Sequence, residues 1–266
     1  MESALDYWSA KALLEWQVEL GATEALCEAP INRYELAAAA AKAPVAGRAG
    51  ETQKPGSPPP LPPKPKPVDP VVVARSCAQA APDLAALRAA LADFPHCDLK
   101  RGARNLVFAD GQPGARVMII AEAPDREEDR AGRPFAGPAG DLLDRMLAAI
   151  DLGRDKTVYL ANVLPWRPPQ GRDPSGDEIA MMVPFLQRHV ELAQPEILLL
   201  MGNTSCQAVL GKRGISRLRG QWGHAWGRMV LPMQHPTALL GQSALKSSAW
   251  ADLLELKARL ASAEQG

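Results

Sequence analysis

The order of apolar and polar positions divides the chain into three unlike stretches. Over residues 1–43 apolar side chains fall at helical spacing (Leu13, Leu14, Trp16, Val18, Leu20, then Leu26), and an alanine-rich stretch from Ile31 to Ala41 follows. This pattern predicts a helical hairpin. Residues 44–70 hold ten prolines, among them the run PGSPPPLPPKPKPVDP, with almost no apolar side chain to offset the entropy of ordering. They read as a semi-extended linker, with a PxxP ligand as the alternative role. Residues 71–266 have ordinary globular composition and the usual size of one domain. Within them VMIIA (Val117 to Ala121), VYLANV (Val158 to Val163), ILLLMG (Ile197 to Gly202) and MVLPM (Met229 to Met233) alternate with amphipathic stretches such as DLLDRMLAAI and IAMMVPFLQRHVELA. Short, wholly apolar, β-rich runs between helical patterns predict a parallel sheet with helices on both faces.

Composition narrows the class. Cys27, Cys77, Cys97 and Cys206 form no C-x-x-C pair, so neither a disulfide framework nor a zinc site is evident, and free thiols in a reducing compartment are expected. The opening MESALDYWSAKALLEWQ carries acids and no long apolar run, which predicts neither a secretory signal nor a membrane span and fits a cytoplasmic protein. No GxxxxGK[ST] or GxGxxG loop is present, which weakens a generic nucleotide-binding reading.

In parallel α/β folds ligands bind beyond the carboxyl ends of the strands, so the residues that follow each run carry the candidate chemistry. After the first comes AEAPDREEDRAGRPFAGPAG, with five acids between Glu122 and Asp129, and with Phe135 in a loop of small residues where it is free to stack on a planar ligand. Glu122 sits directly at the strand end. After the second comes Asn162, whose amide offers both a donor and an acceptor to a nucleobase edge, then a proline-braced loop with Arg167 and Arg172. After the fourth, His235 opens a loop that also carries Leu239 and Leu240, and a His-Pro opposite a carboxylate is a catalytic candidate. From Ile197 to Ala249 there are six Lys or Arg and no Asp or Glu, although the whole chain has zero formal net charge. Arg213, Arg217 and Arg219 in KRGISRLRG, with Lys246, are suited to holding phosphates. Acids at one strand end beside a basic, apolar-tipped second half suggest an enzyme that holds DNA, wedges the duplex and draws a base into a pocket.

With these residues the chain resembles the uracil-DNA glycosylase superfamily, most closely its family 4 type, from about Cys97 to Leu260. The family's GEAPG, E-D and G-x-PFVG-x-AG-x-LLD pattern is similar to AEAPDREEDRAGRPFAGPAGDLLD, its N-V-x-x-RPP-x-x-RDP to NVLPWRPPQGRDP, and its HP[ST] to HPT. The resemblance implies a three-layer α/β/α sandwich with a four-stranded parallel sheet, and cleavage of the N-glycosidic bond of deoxyuridine in DNA by a monomeric enzyme. It implies that Glu122 positions or activates the attacking water, Phe135 stacks on uracil, Asn162 pairs with its polar edge and His235 donates to its O2. It also places Glu128 at a pocket wall where a side chain near C5 excludes thymine's methyl, and Leu239 and Leu240 in the gap left by the flipped nucleotide. That step needs no metal.

Two departures from the family pattern bear on function. Family 4 enzymes hold an iron-sulfur cluster with four cysteines, of which Cys97 alone remains; Phe94, Trp166 and Met182 stand at the other positions. The expectation is that no cluster forms and that these three side chains pack together in its volume. Ala121 and Asp125 stand where the family usually has glycines. Asp125, close to Glu122, is expected to raise one carboxyl pKa by like-charge repulsion, to activate the water itself, or to repel the DNA backbone. The alternative to a working enzyme is a lesion-binding or abasic-site-binding relative with little turnover.

Overall fold

The computed structural model describes residues 69–263 together with Lys11, Glu15, Trp16 and Val18. The chain divides into two units, Met1–Pro63 and Lys64–Gly266. In the first, the four described residues are helical, with Lys11 and Glu15 paired at 3.5 Å. The rest of the expected hairpin (1–43) and of the Pro-rich linker (44–70) lies outside the described residues, apart from Asp69 and Pro70, which open the first helix of the second unit.

That helix, α1 (Pro70–Ala80), starts where Asp69 accepts from the Val71 amide and Pro70 supplies a preset φ. A second helix, α2 (Leu84–Asp93), is capped in the same way by Asp83. The sheet follows, built from β1 (Ala109–Gly111), β2 (Val117–Ala121), β3 (Val158–Asn162), β4 (Ile197–Met201), β5 (Gly223–Ala225) and β6 (Arg228–Met233) in the order β1-β3-β2-β4-β6-β5. The four runs legible in the sequence are the four central strands, mutually parallel, and every residue of β2, β3 and β4 is buried. The sheet has six strands rather than the expected four, because three-residue strands pair antiparallel at both edges, β1 on β3 and β5 on β6.

Strand alternation sends the core to two sides. Met118, Ile120, Tyr159, Ala161, Leu198 and Leu200 face one apolar layer, shared with Leu87 of α2, with Ile179, Met182 and Phe185 of α5 (Gly176–Ala193), and with Cys206 of α6 (Asn203–Leu210). Val117, Ile119, Val158, Leu160, Leu199 and Leu231 face the other. That side is covered by Leu143 and Leu147 of α4 (Pro138–Ala148), Leu239 of α8 (Pro236–Gly241) and Leu253, Leu256 and Leu260 of α9 (Lys246–Ala263). Two short helices, α3 (Arg126–Ala131) and α7 (Ile215–Leu218), complete the described residues' set of α-helices. Burying each large aliphatic side chain contributes about 1.5–3 kcal/mol, so the three-layer order follows from the two-sided strands themselves. Among the described residues no helix is long and apolar enough to cross a membrane.

The chain leaves β2 toward β3 on one side and reaches β4 on the other, so the switch point of the sheet lies between the carboxyl ends of β2 and β4.

Candidate active site

The switch point is occupied by Glu122. It follows β2 directly, and its Oε1 accepts from the Thr204 amide at 2.8 Å, at the start of α6. The side chain passes over Gly202, which has φ +99°; a Cβ there would lie 2.5 Å from the Glu122 carboxyl carbon. A glycine at the end of β4 is therefore needed twice, for its backbone and for the room it leaves. Glu122 Oε2 is left for other partners.

The acidic run after Pro124 is a folded device as well as a charge cluster. Asp125 caps α3, its Oδ1 accepting from the Glu127 and Glu128 amides at 2.8 and 2.9 Å, and Glu128 Oε2 accepts from the Asp125 amide at 2.8 Å in return. Glu128 Oε1 accepts from the Phe135 amide. Both oxygens of this buried carboxyl thus strap the motif together, a role the sequence did not reveal. Burial pushes its pKa up to about 7, against the lowering effect of those backbone amides.

Phe135 is held from both sides. Its φ is +51°, a left-handed conformation that a β-carbon disfavours. Its amide is bound by Glu128, its carbonyl accepts from Arg154 Nη2 at 3.1 Å, and Gly140 packs so closely on that carbonyl that a Cβ there has no room. Arg154 is itself anchored to Asp110 and Asp144 at 2.6 and 2.9 Å. A strained residue fixed at this many points marks a position whose geometry matters.

His235, after β6, is the N-cap of α8: its Nδ1 accepts from the Thr237 amide at 3.3 Å and lies 3.1 Å from Thr237 Oγ1. This contact makes Nδ1 the acceptor and leaves Nε2–H as the outward donor. Burial holds the imidazole below its ordinary pKa, although the charges of Glu122 and Asp125 oppose that shift, so the ring is neutral at neutral pH.

Glu122, Asp125, Glu128, Phe135, Arg167, Arg172, Thr204, His235 and Thr237 line one cavity of about 410 Å³. Asn162 is adjacent in the sheet, paired in register with Ala121, but it borders a separate void of about 20 Å³ lined also by Phe108, Met182 and His189. Its amide nitrogen and oxygen are both buried and neither makes a hydrogen bond of ordinary geometry, although the amide lies near enough to the Glu128 carboxyl to help hold that group's pKa down. A donor and an acceptor left so poorly met on one buried amide are costly to the folded chain.

The residues expected to hold DNA divide. Arg167 lines the cavity, and Arg217 and Lys246 are exposed. Arg172 is doubly bound to Glu178, whose carboxyl it holds down to about 2, and Arg213 lies 3.5 Å from Asp173 and donates to Gln207. Arg219 does not face outward: it grips buried Asp252 and the Ser248 carbonyl, fastening the turn after α7 to α9. Of the two expected wedge residues, Leu240 is 50% exposed, whereas Leu239 is 1% exposed and belongs to the core, because successive helical positions point about a third of a turn apart.

The residues at the family's cluster positions do not fit an iron-sulfur group. Phe94, Cys97, Trp166 and Met182 are each 3% exposed or less in one apolar layer, and Phe94 meets Phe185 edge-on at 5.3 Å. They offer a single thiol, and burial pushes that thiol's pKa up, away from the thiolate a cluster needs. Among the described residues no group of three or more His, Cys, Asp or Glu is placed to hold a metal ion.

Carboxylates, a neutral imidazole of fixed tautomer and a clamped aromatic ring thus line one pocket at the switch point of a parallel sheet. Comparison with known proteins gives the family. Residues 108–254 match the model of the uracil DNA glycosylase superfamily. A type-4 uracil-DNA glycosylase of Sulfurisphaera tokodaii is 37% identical over 155 residues, 54% of this chain and 70% of the relative. That of Archaeoglobus fulgidus is 35% identical over 169 residues, 60% and 84%, and that of Thermotoga maritima 35% over 149 residues, 54% and 76%. The chain belongs to the uracil DNA glycosylase superfamily.

Proposed function

We propose that the protein is a uracil-DNA glycosylase that flips deoxyuridine out of DNA, hydrolyses its N-glycosidic bond and leaves an abasic site, without an iron-sulfur cluster. The observation that carries this reading is the buried amide of Asn162, near the Glu128 carboxyl but without a hydrogen bond of ordinary geometry, at the end of the strand next to the one that leads into the pocket of Phe135 and His235: it offers a donor and an acceptor to a base edge.

In this reading uracil stacks on Phe135, Asn162 meets its polar edge, and Glu128 stands near C5. As the C1′–N1 bond breaks, its electron pair leaves with uracil, and the neutral His235 donates from Nε2–H to O2, where negative charge gathers. Glu122, fixed by the Thr204 amide, faces the cationic sugar with its other oxygen and orients the water that bonds to C1′. The water's proton passes to a carboxylate. Asp125 has one oxygen committed to the cap of α3 and one uncommitted, which makes it the second candidate for that proton.

Incubation with a labelled oligonucleotide bearing one deoxyuridine, followed by alkali and a gel, tests the proposal. Uracil-dependent scission, weakened in His235→Ala and given by protein without stoichiometric iron or visible cluster absorption, is the expected result. Intact DNA with a gel shift on an abasic oligonucleotide would favour lesion binding instead.

A further inference from the structure

Beside the active-site cavity lies a second one of about 260 Å³, lined by Arg104, Arg126, Asp129, Arg130 and Arg167. Arg126 and Arg167 line both cavities, so the two are contiguous. The four arginines come from three places in the chain: the loop before β1, helix α3, and the loop after β3. Among the described residues none of their guanidinium groups forms an ion pair or a side-chain hydrogen bond, whereas Arg133, Arg154, Arg172, Arg213 and Arg219 are each paired with an acid. The single acid in the cavity wall is committed elsewhere: Asp129 Oδ1 accepts from the backbone amides of Arg104 and Asn105 at 2.8 and 3.1 Å. Asn105 in turn donates to the carbonyls of Asp129 and Arg130 at 2.7 and 3.3 Å. These bonds button the Arg104 loop onto α3.

The arrangement is unfavourable for the folded chain alone. Four cations surround one small space, and Arg126 stands in the first turn of α3, where a positive charge opposes the helix dipole and the acids of the same turn, Glu127, Glu128 and Asp129, make no ion pair with it. An anion in the cavity would offset that repulsion. We infer that this cavity is a cradle for a backbone phosphate of the substrate strand, one that seats DNA beside the flipped nucleotide. The inference rests on DNA being the substrate. A planar guanidinium binds phosphate through two parallel hydrogen bonds, so arginines from three segments fix both position and direction of the strand.

The test measures binding of a duplex carrying one stable abasic-site analogue over a series of KCl concentrations, for the wild type, Arg104→Ala, Arg130→Ala and the double variant. Arg88→Ala, exposed on α2 and lining neither cavity, is the control. Each cradle variant is expected to bind several-fold more weakly and to lower the slope of log affinity against log salt by about 1, with the double variant losing about 2 and the control none. Arg130→Lys should keep the slope. Slopes equal to the wild type's would overturn the cradle. So would a melting temperature raised by inorganic phosphate in the wild type but not in the variants, with slopes unchanged; that result marks a small-anion site. The glycosylase reading is scored separately by uracil excision: a slope that falls in variants of a protein unable to excise uracil leaves the cradle standing and removes the enzyme.

Discussion

The rings of Phe135 and His235 lie 18° from parallel with their centroids 5.5 Å apart. The residue expected to stack on the base therefore also buttresses the residue expected to donate to its O2. Removing the ring with Phe135→Ala should lower kcat as well as raise KM, by about 10–100-fold in kcat/KM, because His235 loses the wall that orients Nε2–H. Single-turnover excision at saturating DNA separates the two effects; a change in KM alone would confine Phe135 to stacking.

Gly202 makes a sharper test of positioning, since it touches no substrate. In Gly202→Ala the new Cβ would crowd the Glu122 carboxyl group, and the φ of +99° with ψ of −177°, a region essentially reserved for glycine, adds about 1–3 kcal/mol of backbone strain. Excision should fall at least tenfold while the variant still unfolds cooperatively. Activity equal to the wild type's in a folded variant would show that the Glu122–Thr204 contact is not needed.

The two carboxylates are separable because asparagine caps a helix about as well as aspartate does. Asp125→Asn should keep α3 and test only the charge, and Glu122→Gln keeps shape while removing charge at the switch point. The expected order in single-turnover rate is a loss of about 100-fold or more for Glu122→Gln and a smaller loss for Asp125→Asn. The reverse order would give the water to Asp125.

Much of this site was legible because strands buried on both faces announce themselves as unbroken apolar runs, and the residues that end them are then the ones to inspect. Glu122, Asn162 and His235 stand at or just beyond the ends of β2, β3 and β6 for that reason. The edge strands ADG and GHA carry no such run and could not be seen. Backbone partners also leave no mark on a sequence, which hid the Thr204 amide and both hydrogen bonds of Glu128. Arg219 reads as a free cation until the fold brings Asp252, 33 positions away, against it. Conversely, Arg104, Arg126 and Arg130 were masked by the acids around them; the fold turns Glu128 and Asp129 inward as straps and leaves the arginines out.

Buried His189 links the core to pH. Its ring stacks on Phe108 at 4.4 Å, its Nε2 lies 2.8 Å from the Tyr159 hydroxyl, and burial pushes its pKa from 6.5 down to about 3. Between those values the unfolded chain binds a proton that the folded chain refuses, so this group's stabilisation is full above pH 6.5 and is lost as pH falls toward 3. The slope approaches about 1.4 kcal/mol per pH unit within that window. His189→Gln, which can still accept from Tyr159, should be less stable at pH 7.5 and should lose stability less steeply on acidification. Urea unfolding at pH 7.5 and 4.5 measures both; equal slopes in the two proteins would show that His189 is protonated in the native state.

Leu239 and Leu240 separate stability from function within two residues. Leu239→Ala opens a cavity in a core position that is 1% exposed and should cost about 2–5 kcal/mol. Leu240 is half exposed at the C-terminal half of α8, beyond His235, so Leu240→Ala should leave the melting temperature nearly unchanged. If Leu240 fills the space vacated by the flipped nucleotide, its loss should slow excision from duplex DNA several-fold and from single-stranded DNA far less, because a single strand has no stack for a wedge to hold open. Equal slowing on both substrates would place Leu240 at the backbone or the pocket mouth rather than within the duplex.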